Sequence, residues 1–242
     1  MLYAKVVLGL PMDLAFDYSL PFSLQKKINL GSRVFVNFRN RRSVGYVVGL
    51  SKSSGVKNVK DVLSLIDEKP VLNKTMFLLA KRISEYYASS LGEAIETMLP
   101  EELRKGKMVK GGYLPQPNLP VDKSAIPFLL HDLSPRRRWE VYIGETKKAL
   151  ASKRSVIILF SDIPAVLRAK PLFEAALGRE VYLSYRKQPK ELLSWENIRS
   201  DSAAVVLGTR SAVFAPVNNL GLVILDREED SVYKQEHVPH YH

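Results

Sequence analysis

Two stretches of this chain carry residues suited to phosphate chemistry. In the first, Leu220-Gly-Leu-Val-Ile-Leu-Asp-Arg-Glu-Glu-Asp230, an apolar run ends in acids. A carboxylate at the end of a buried strand can hold a metal-bound water, and Asp226 has that place. The next residue is Arg227, and Glu228 is no obvious substitute for an acid there, because neighbours in an extended segment point to opposite faces. The second stretch, Ser134-Pro-Arg-Arg-Arg-Trp139, sets Arg136, Arg137 and Arg138 at the start of a helical pattern. Guanidinium forks attract phosphate, whether of a nucleotide or of a nucleic-acid backbone. A phosphate-cradling loop needs glycines for close amide approach, then Lys and Ser/Thr. Here there is no glycine, Pro135 lacks an amide donor, and Trp139 cannot ligate magnesium. Between these stretches, Gly208-Thr-Arg-Ser-Ala-Val-Phe-Ala-Pro216 offers amides, hydroxyls and a guanidinium from Thr209, Arg210 and Ser211. Such groups suit a single-stranded backbone, or Gly208 and Pro216 simply shape a loop.

The elements that must position these residues fall into two groups. From Tyr3 to about Asp67 the pattern is strand-like: 5–8, 16–20, 33–38, 43–50 and 59–66, punctuated by Pro11, Pro21, Gly31 and Gly55. A small antiparallel sheet or barrel is expected, with a hairpin whose Arg-Asn-Arg-Arg tip reads by itself as a solvated turn. Asn73 stands at a helix N-cap position, followed by Met76, Leu79, Ala80, Ile83 and Tyr87 on one face, and a second helix is expected over 92–98. Tyr86 and Tyr87 are expected in a core or an interface. Glycine and proline between Lys105 and Lys123 mark a linker, giving domains at 1–105 and 124–242 with 106–123 between them. Beyond it strands at 128–131, 155–160, 180–184, 203–207 and 220–226 alternate with helices at 137–152, 163–177 and 189–198. Apolar strands alternating with helices predict a parallel sheet covered on both faces, so the class is α/β overall with a β-rich N-terminal domain.

Composition narrows the partner. The 242 residues, 46% hydrophobic, suffice for a real core, and 36 Lys+Arg against 25 Asp+Glu give a formal charge of +11. That balance fits a polyanion better than a small neutral substrate, with nucleic acid, ribosome and anionic lipid all open on charge alone. The absence of cysteine removes disulfides, thiolate nucleophiles and Cys-ligated zinc within these residues. No signal peptide or spanning segment is legible, so a soluble cytoplasmic protein without a membrane partner is expected.

The acidic tail Asp226, Glu228, Asp230, Ser231, Tyr233, Lys234, Gln235, Pro239, Tyr241 and His242 resembles the second helicase motif of the PriA family of replication-restart helicases (primosomal protein N′). His131, Glu140, Val141 and Tyr142 frame the position of that family's phosphate loop, and Gly208 to Pro216 resembles its conserved loop almost letter for letter. Ser161-Asp162-Ile163 is a weaker echo of a further family segment. Upstream, Phe16-Asp17-Tyr18, Gly31-x-Arg33-Val-x-Val36-x-Phe38, Asp67-x-x-Pro70-Val71 and Leu91-Gly92-Glu93 resemble the family's 3′-end-binding domain over 8–106. The resemblance implies a pocket for a terminal 3′-nucleotide that includes Phe16 and Asp17, with Tyr18 beside them. Asp17 would accept a hydrogen bond from the free 3′-hydroxyl, and Lys60 would contact phosphate. Arg39 replaces the family's glycine and either narrows the pocket or adds a phosphate contact.

The same resemblance implies a RecA-like helicase lobe whose nucleotide site has lost its chemistry. Arg137, Arg138 and Trp139 stand in the phosphate loop, Arg138 at the Lys position and Trp139 at the Ser/Thr position, and Arg227 replaces the Glu that polarises water. Winged helix, zinc module and second lobe are missing from these residues, which implies a fragment or a reduced relative. The expectation is a DNA-binding replication-restart protein that recognises forks, 3′ ends or single strands. It would have no catalytic residues, metal or cofactor, and single-strand-binding protein and primosome components would be its partners. Two alternatives stay open: an ATP- and magnesium-dependent helicase with a noncanonical site, and an interaction scaffold with nonspecific DNA binding.

Overall fold

The structure, a computed structural model, describes residues 1–109, 127–234 and 239. It divides into two compact units, Met1–Gly112 with Lys234–His242, and Tyr113–Tyr233.

In the first unit, β1 (Tyr3–Val7), β2 (Phe16–Ser19), β3 (Arg33–Phe38), β4 (Arg41–Ser51) and β5 (Val62–Leu65) form an antiparallel sheet ordered β2-β1-β4-β3-β5. Period-two alternation builds its core: Ala4, Val6, Val34, Val36 and Val47 are buried while Lys5 between them is exposed. The sheet curls until the edge strand β2 meets the approach to β5, through a parallel bridge from Ser19 to Asp61 and a bond from Ser19 N–H to the Lys60 carbonyl at 2.9 Å. The β3–β4 hairpin closes in two residues, Arg39 and Asn40, both at positive φ (46° and 61°). This is the primed turn that matches strand twist, so Arg41 and Arg42 belong to β4 rather than to the loop.

A short helix, α1 (Phe22–Gln25), follows β2, and α2 (Lys74–Tyr86), α3 (Leu91–Thr97) and α4 (Glu101–Arg104) follow the sheet. Asn73 caps α2 by accepting the Met76 amide at 2.7 Å, and Ser90 with Glu93 forms a capping box on α3. Tyr86 departs from its expected burial: it is 70% exposed, edge-on to Tyr87 with Arg82 near its ring. Tyr86 is the last residue of α2, past its last buried position at Ile83.

Two charged residues anchor this unit from inside. Arg33, fully buried, grips Asp67 with both forks (Nε to Oδ2 2.8 Å, Nη2 to Oδ1 2.7 Å). Its remaining donors reach the Leu103 carbonyl and, at 2.8 Å, the Lys107 carbonyl, while Asp67 also accepts the Val109 amide at 2.9 Å. The segment 103–109 is thereby strapped across the sheet. Glycine at Gly106 (φ 87°) is required there, since a Cβ would lie 2.6 Å from the Phe35 ring.

The half-buried Glu96 and Arg104 act electrostatically on one another and on the buried Tyr46. Burial lifts the Glu96 carboxyl above its ordinary range, a rise that Arg104 partly offsets. A carboxyl raised in the folded state holds its proton more tightly there, so its contribution favours folding at low pH and is lost as pH climbs through the folded value. Glu96→Gln is therefore expected to flatten the decline in stability of this unit from the ordinary value of 4.5 towards neutrality. Urea unfolding across that range checks this, and identical slopes for the two proteins would contradict it.

In the second unit α5 (Pro135–Ala151), β6 (Ser155–Leu159), α6 (Ile163–Leu177), β7 (Tyr182–Ser184), α7 (Glu191–Ser200), β8 (Val205–Gly208) and β9 (Leu220–Leu225) form a parallel sheet ordered β7-β8-β6-β9 with helices. The alternation of β6 and β8 fills both faces. Val156, Ile158, Val205 and Leu207 pack with Tyr142 of α5 and with Val166, Ala169 and Phe173 of α6. Ile157, Leu159, Ala204 and Val206 pack with Ile198 of α7 and with Tyr233. The class is α/β, as expected.

One expected strand is not formed. Residues 128–131 lie outside any ladder, with Phe128 94% and Leu129 78% exposed. Both edges of β6 are taken by β8 and β9, and an apolar run without a ladder partner stays irregular. The edge strand β9 is also less covered than its composition predicts, with Leu220, Val223 and Leu225 exposed. Most of the sequence-based linker lies outside the described residues. No helix among the described residues is long and apolar enough to cross a membrane.

Candidate nucleic-acid interface and nucleotide site

In the first unit the candidate residues cluster where β2 passes the end of β3. Tyr18 donates to the Asn37 carbonyl at 3.2 Å, and the Phe16 and Phe38 rings lie 5.1 Å apart. Phe16 and Tyr18 thus face the core cluster and fix the seam between two strands that share no ladder. Alternation sends Asp17 to the other face, beside its cross-strand partner Lys5. The structure does not bring the Phe16 ring and the Asp17 carboxylate to a common face. Asp17 accepts the Ser54 hydroxyl at 2.6 Å and has the Lys5 ammonium 3.8 Å away. Lys60 is exposed, its carbonyl tied to Ser19.

The hairpin tip adds positive charge at the same end of β3. Arg39 is exposed, with its guanidinium 5.4 Å from the Phe38 ring, and Arg42 stacks 3.7 Å over Phe35. The Arg39 φ of 46° lies in the region that favours glycine, which gives a physical reason for the glycine of the resembling family at this point. A stacked guanidinium keeps its in-plane donors free for phosphate.

In the second unit the two candidate stretches meet. Arg138 on α5 donates from Nε to Asp226 Oδ1 at 3.1 Å and from Nη1 to the Asp132 carbonyl at 2.8 Å. Tyr142, one turn further on, donates to the same Asp226 oxygen at 3.0 Å. The single hydroxyl proton of Tyr233 lies between the carbonyls of Asp226 (2.7 Å) and Leu159 (3.1 Å) and donates mainly to the nearer. Asp226 is 5% exposed. Burial, and then the Asp226 charge, push both tyrosines well above the ordinary phenol range, so both remain donors.

The neighbours of this knot have other tasks. Trp139 stands edge-on to Phe160 at 6.0 Å and packs against the core. Arg136 pairs with Glu140 on the helix surface, and Arg137 is exposed. After Asp226 the chain turns rather than staying extended, with Arg227 at φ 57° beside Glu229 and Asp230, and Glu228 exposed. Thr209, Arg210 and Ser211 follow β8 at a 3-10 turn, Arg210–Phe214, and Arg210 donates to the Val232 carbonyl at 2.7 Å. Gly208 is obligatory before it, since a Cβ would lie 1.9 Å from the Ser184 carbonyl oxygen. Asp162 caps α6 through the Ala165 amide at 2.6 Å. Among the described residues no group of three or more His, Cys, Asp or Glu is placed to hold a metal ion.

Sequence reasoning placed Arg138 and Asp226 but missed their direct pairing, and it missed Ser54 entirely. Tyr142 was legible only as a frame residue, and Tyr233 only as part of a tail motif.

The chain thus carries a curled antiparallel sheet with a basic hairpin in one unit and a parallel α/β sheet in the other. Residues 5–100 match the family described as 3′DNA-binding domain (3′BD) of PriA. Over 99% of its length the chain is 27% identical to replication restart protein PriA of Treponema pallidum (strain Nichols), of which it covers 40%. It is 28% identical over 96% of its length to PriA of Rickettsia conorii (strain ATCC VR-613 / Malish 7), covering 38% of that protein. To PriA of Bacillus subtilis (strain 168) it is 33% identical over 48% of its length, 14% of that protein. The chain is thus similar to these proteins along nearly its whole length, and it spans about 40% of the length of the first of them.

Proposed function

We propose that this chain is a DNA-binding protein of replication restart that recognises forks or 3′ ends and does not itself hydrolyse ATP. The observation that carries the reading is the match of residues 5–100 to a 3′DNA-binding domain. In this reading Asp17 accepts the terminal hydroxyl, while Phe16 and Tyr18 hold the strand that presents it. Lys60 and Arg39 contact phosphate. Thr209, Arg210 and Ser211 serve a single-stranded backbone through amides and hydroxyls, since the Arg210 guanidinium already engages Val232.

The nucleotide side of the proposal rests on a misfit. A magnesium nucleotide needs a lysine for its phosphates and a free carboxylate for its metal. Here Asp226 is engaged by Arg138 and Tyr142, α5 begins with Pro135, and Arg227 turns towards Glu229 and Asp230. These residues do not fit a magnesium nucleotide. Single-strand-binding protein and primosome components are the proposed partners, in the cytoplasm.

Fluorescence anisotropy with matched forked DNAs, ending in a 3′-hydroxyl or a 3′-phosphate, tests both halves at fixed salt. Tighter hydroxyl binding, unaltered by magnesium ATP and lost in Asp17→Ala, is the expected result. Equal binding of the two ends would remove the end-reading role, and nucleotide-dependent affinity would restore the helicase reading.

A further inference from the structure

We infer that Ser54, on the loop between β4 and β5, is a positioning residue that aims Asp17 at a terminal hydroxyl. The inference rests on the 3′-end reading above and assigns it a specificity element outside the strands. Ser54 Oγ donates to Asp17 Oδ2 at 2.6 Å across 37 residues of sequence. The same oxygen accepts the Val56 amide at 3.1 Å. A serine hydroxyl has one proton, so this arrangement commits that proton to the carboxylate. The loop is itself braced at its start, where Ser51 Oγ accepts the Ser53 amide and donates to the Ser53 carbonyl.

The two oxygens of Asp17 are thereby made unequal. Oδ2 holds a short hydrogen bond, whereas Oδ1 has the Lys5 ammonium at 3.8 Å, beyond hydrogen-bond range. A carboxylate has about four lone-pair positions, so Oδ1 retains room for an incoming donor. The side chain is only 13% exposed, so its approach is narrow. A carboxylate fixed from one side and open on the other recognises a hydroxyl by position. A neutral donor at Oδ2 also leaves the negative charge in place, which keeps the contact with a hydroxyl charge-assisted and strong. It disfavours a terminal phosphate.

The experiment compares oligonucleotides of one sequence ending in a 3′-hydroxyl or a 3′-deoxy sugar, bound by the whole chain at fixed salt. Wild type is expected to prefer the hydroxyl by about tenfold to a hundredfold, the value of one charge-assisted hydrogen bond. Ser54→Ala is expected to cut that ratio at least about threefold while leaving the affinity for the deoxy end unchanged, and Ser54→Thr to restore it. A general loosening of the fold would move both affinities together and would not be rescued by threonine. A ratio kept or raised in Ser54→Ala, yet lost in Asp17→Asn, overturns the role of Ser54 and leaves the end-reading intact. A raised ratio would make the serine a competitor for the carboxylate. A wild-type ratio of one, unmoved by Asp17→Asn, removes the end-reading and the role of Ser54 with it.

Discussion

Arg33→Ala is expected to destabilise the first unit by about 3–5 kcal/mol, the usual cost of removing one partner of a buried ion pair. The loss leaves the Asp67 carboxylate buried without its counter-charge and takes the guanidinium donors from the Leu103 and Lys107 carbonyls, of which Leu103 keeps the Gly106 amide at 3.0 Å. Only the Val109 amide would remain on Asp67. Lysine is not an adequate replacement, because a point charge cannot make the two parallel bonds of the guanidinium fork. Urea unfolding should show a lower midpoint for both variants. A double replacement by apolar residues of similar volume should recover much of the loss, since the pair's desolvation cost is removed along with its attraction. A shift of under about 1 kcal/mol for the alanine variant, the range of an exposed pair, would contradict the assignment of Arg33 as the anchor of this unit.

Asp226→Ala is the second large effect, and it separates a structural carboxylate from a catalytic one. In a working nucleotide site the change would abolish turnover with little effect on folding. Here it strands a mostly covered guanidinium and a phenol, Arg138 and Tyr142, so a stability loss of about 3 kcal/mol is expected. ATP turnover is expected to be absent both before and after. Thermal unfolding alongside a phosphate-release assay reads both quantities. Turnover in the wild type that disappears in the variant would identify Asp226 as a metal ligand and overturn the proposal.

Much of the fold was legible because both units keep the periodicity of their elements. Ala4 and Val6 bracket exposed Lys5, Val34 and Val36 bracket half-buried Phe35, Asn73 and Ser90 stand at helix starts, and β6 is apolar after Ser155. The expected strand at 128–131 failed for a reason periodicity cannot encode: strand formation needs a neighbour, and only topology says where one is. The candidate site was legible as residue types more than as contacts. Asp17 and Asp226 were both found, but their partners Ser54 and Tyr233 come from a serine-rich loop and a polar tail with no periodic signal. Arg33 and Asp67 were part of a recognisable pattern, yet nothing in their spacing, 34 residues apart, announces a buried pair.

The strap that Arg33 holds also bears on the order in which the first unit forms. The β3–β4 hairpin closes over two residues, so its contacts are local and rapid to make. The bonds from Arg33 to the Leu103 and Lys107 carbonyls span 70 and 74 residues. Loop-closure entropy delays contacts of such separation, which places the strap late on the folding route. Interactions absent from the transition state change the unfolding rate and spare the folding rate. The cost of losing Arg33 therefore falls on the lifetime of the folded unit, and the strap acts as its kinetic clasp.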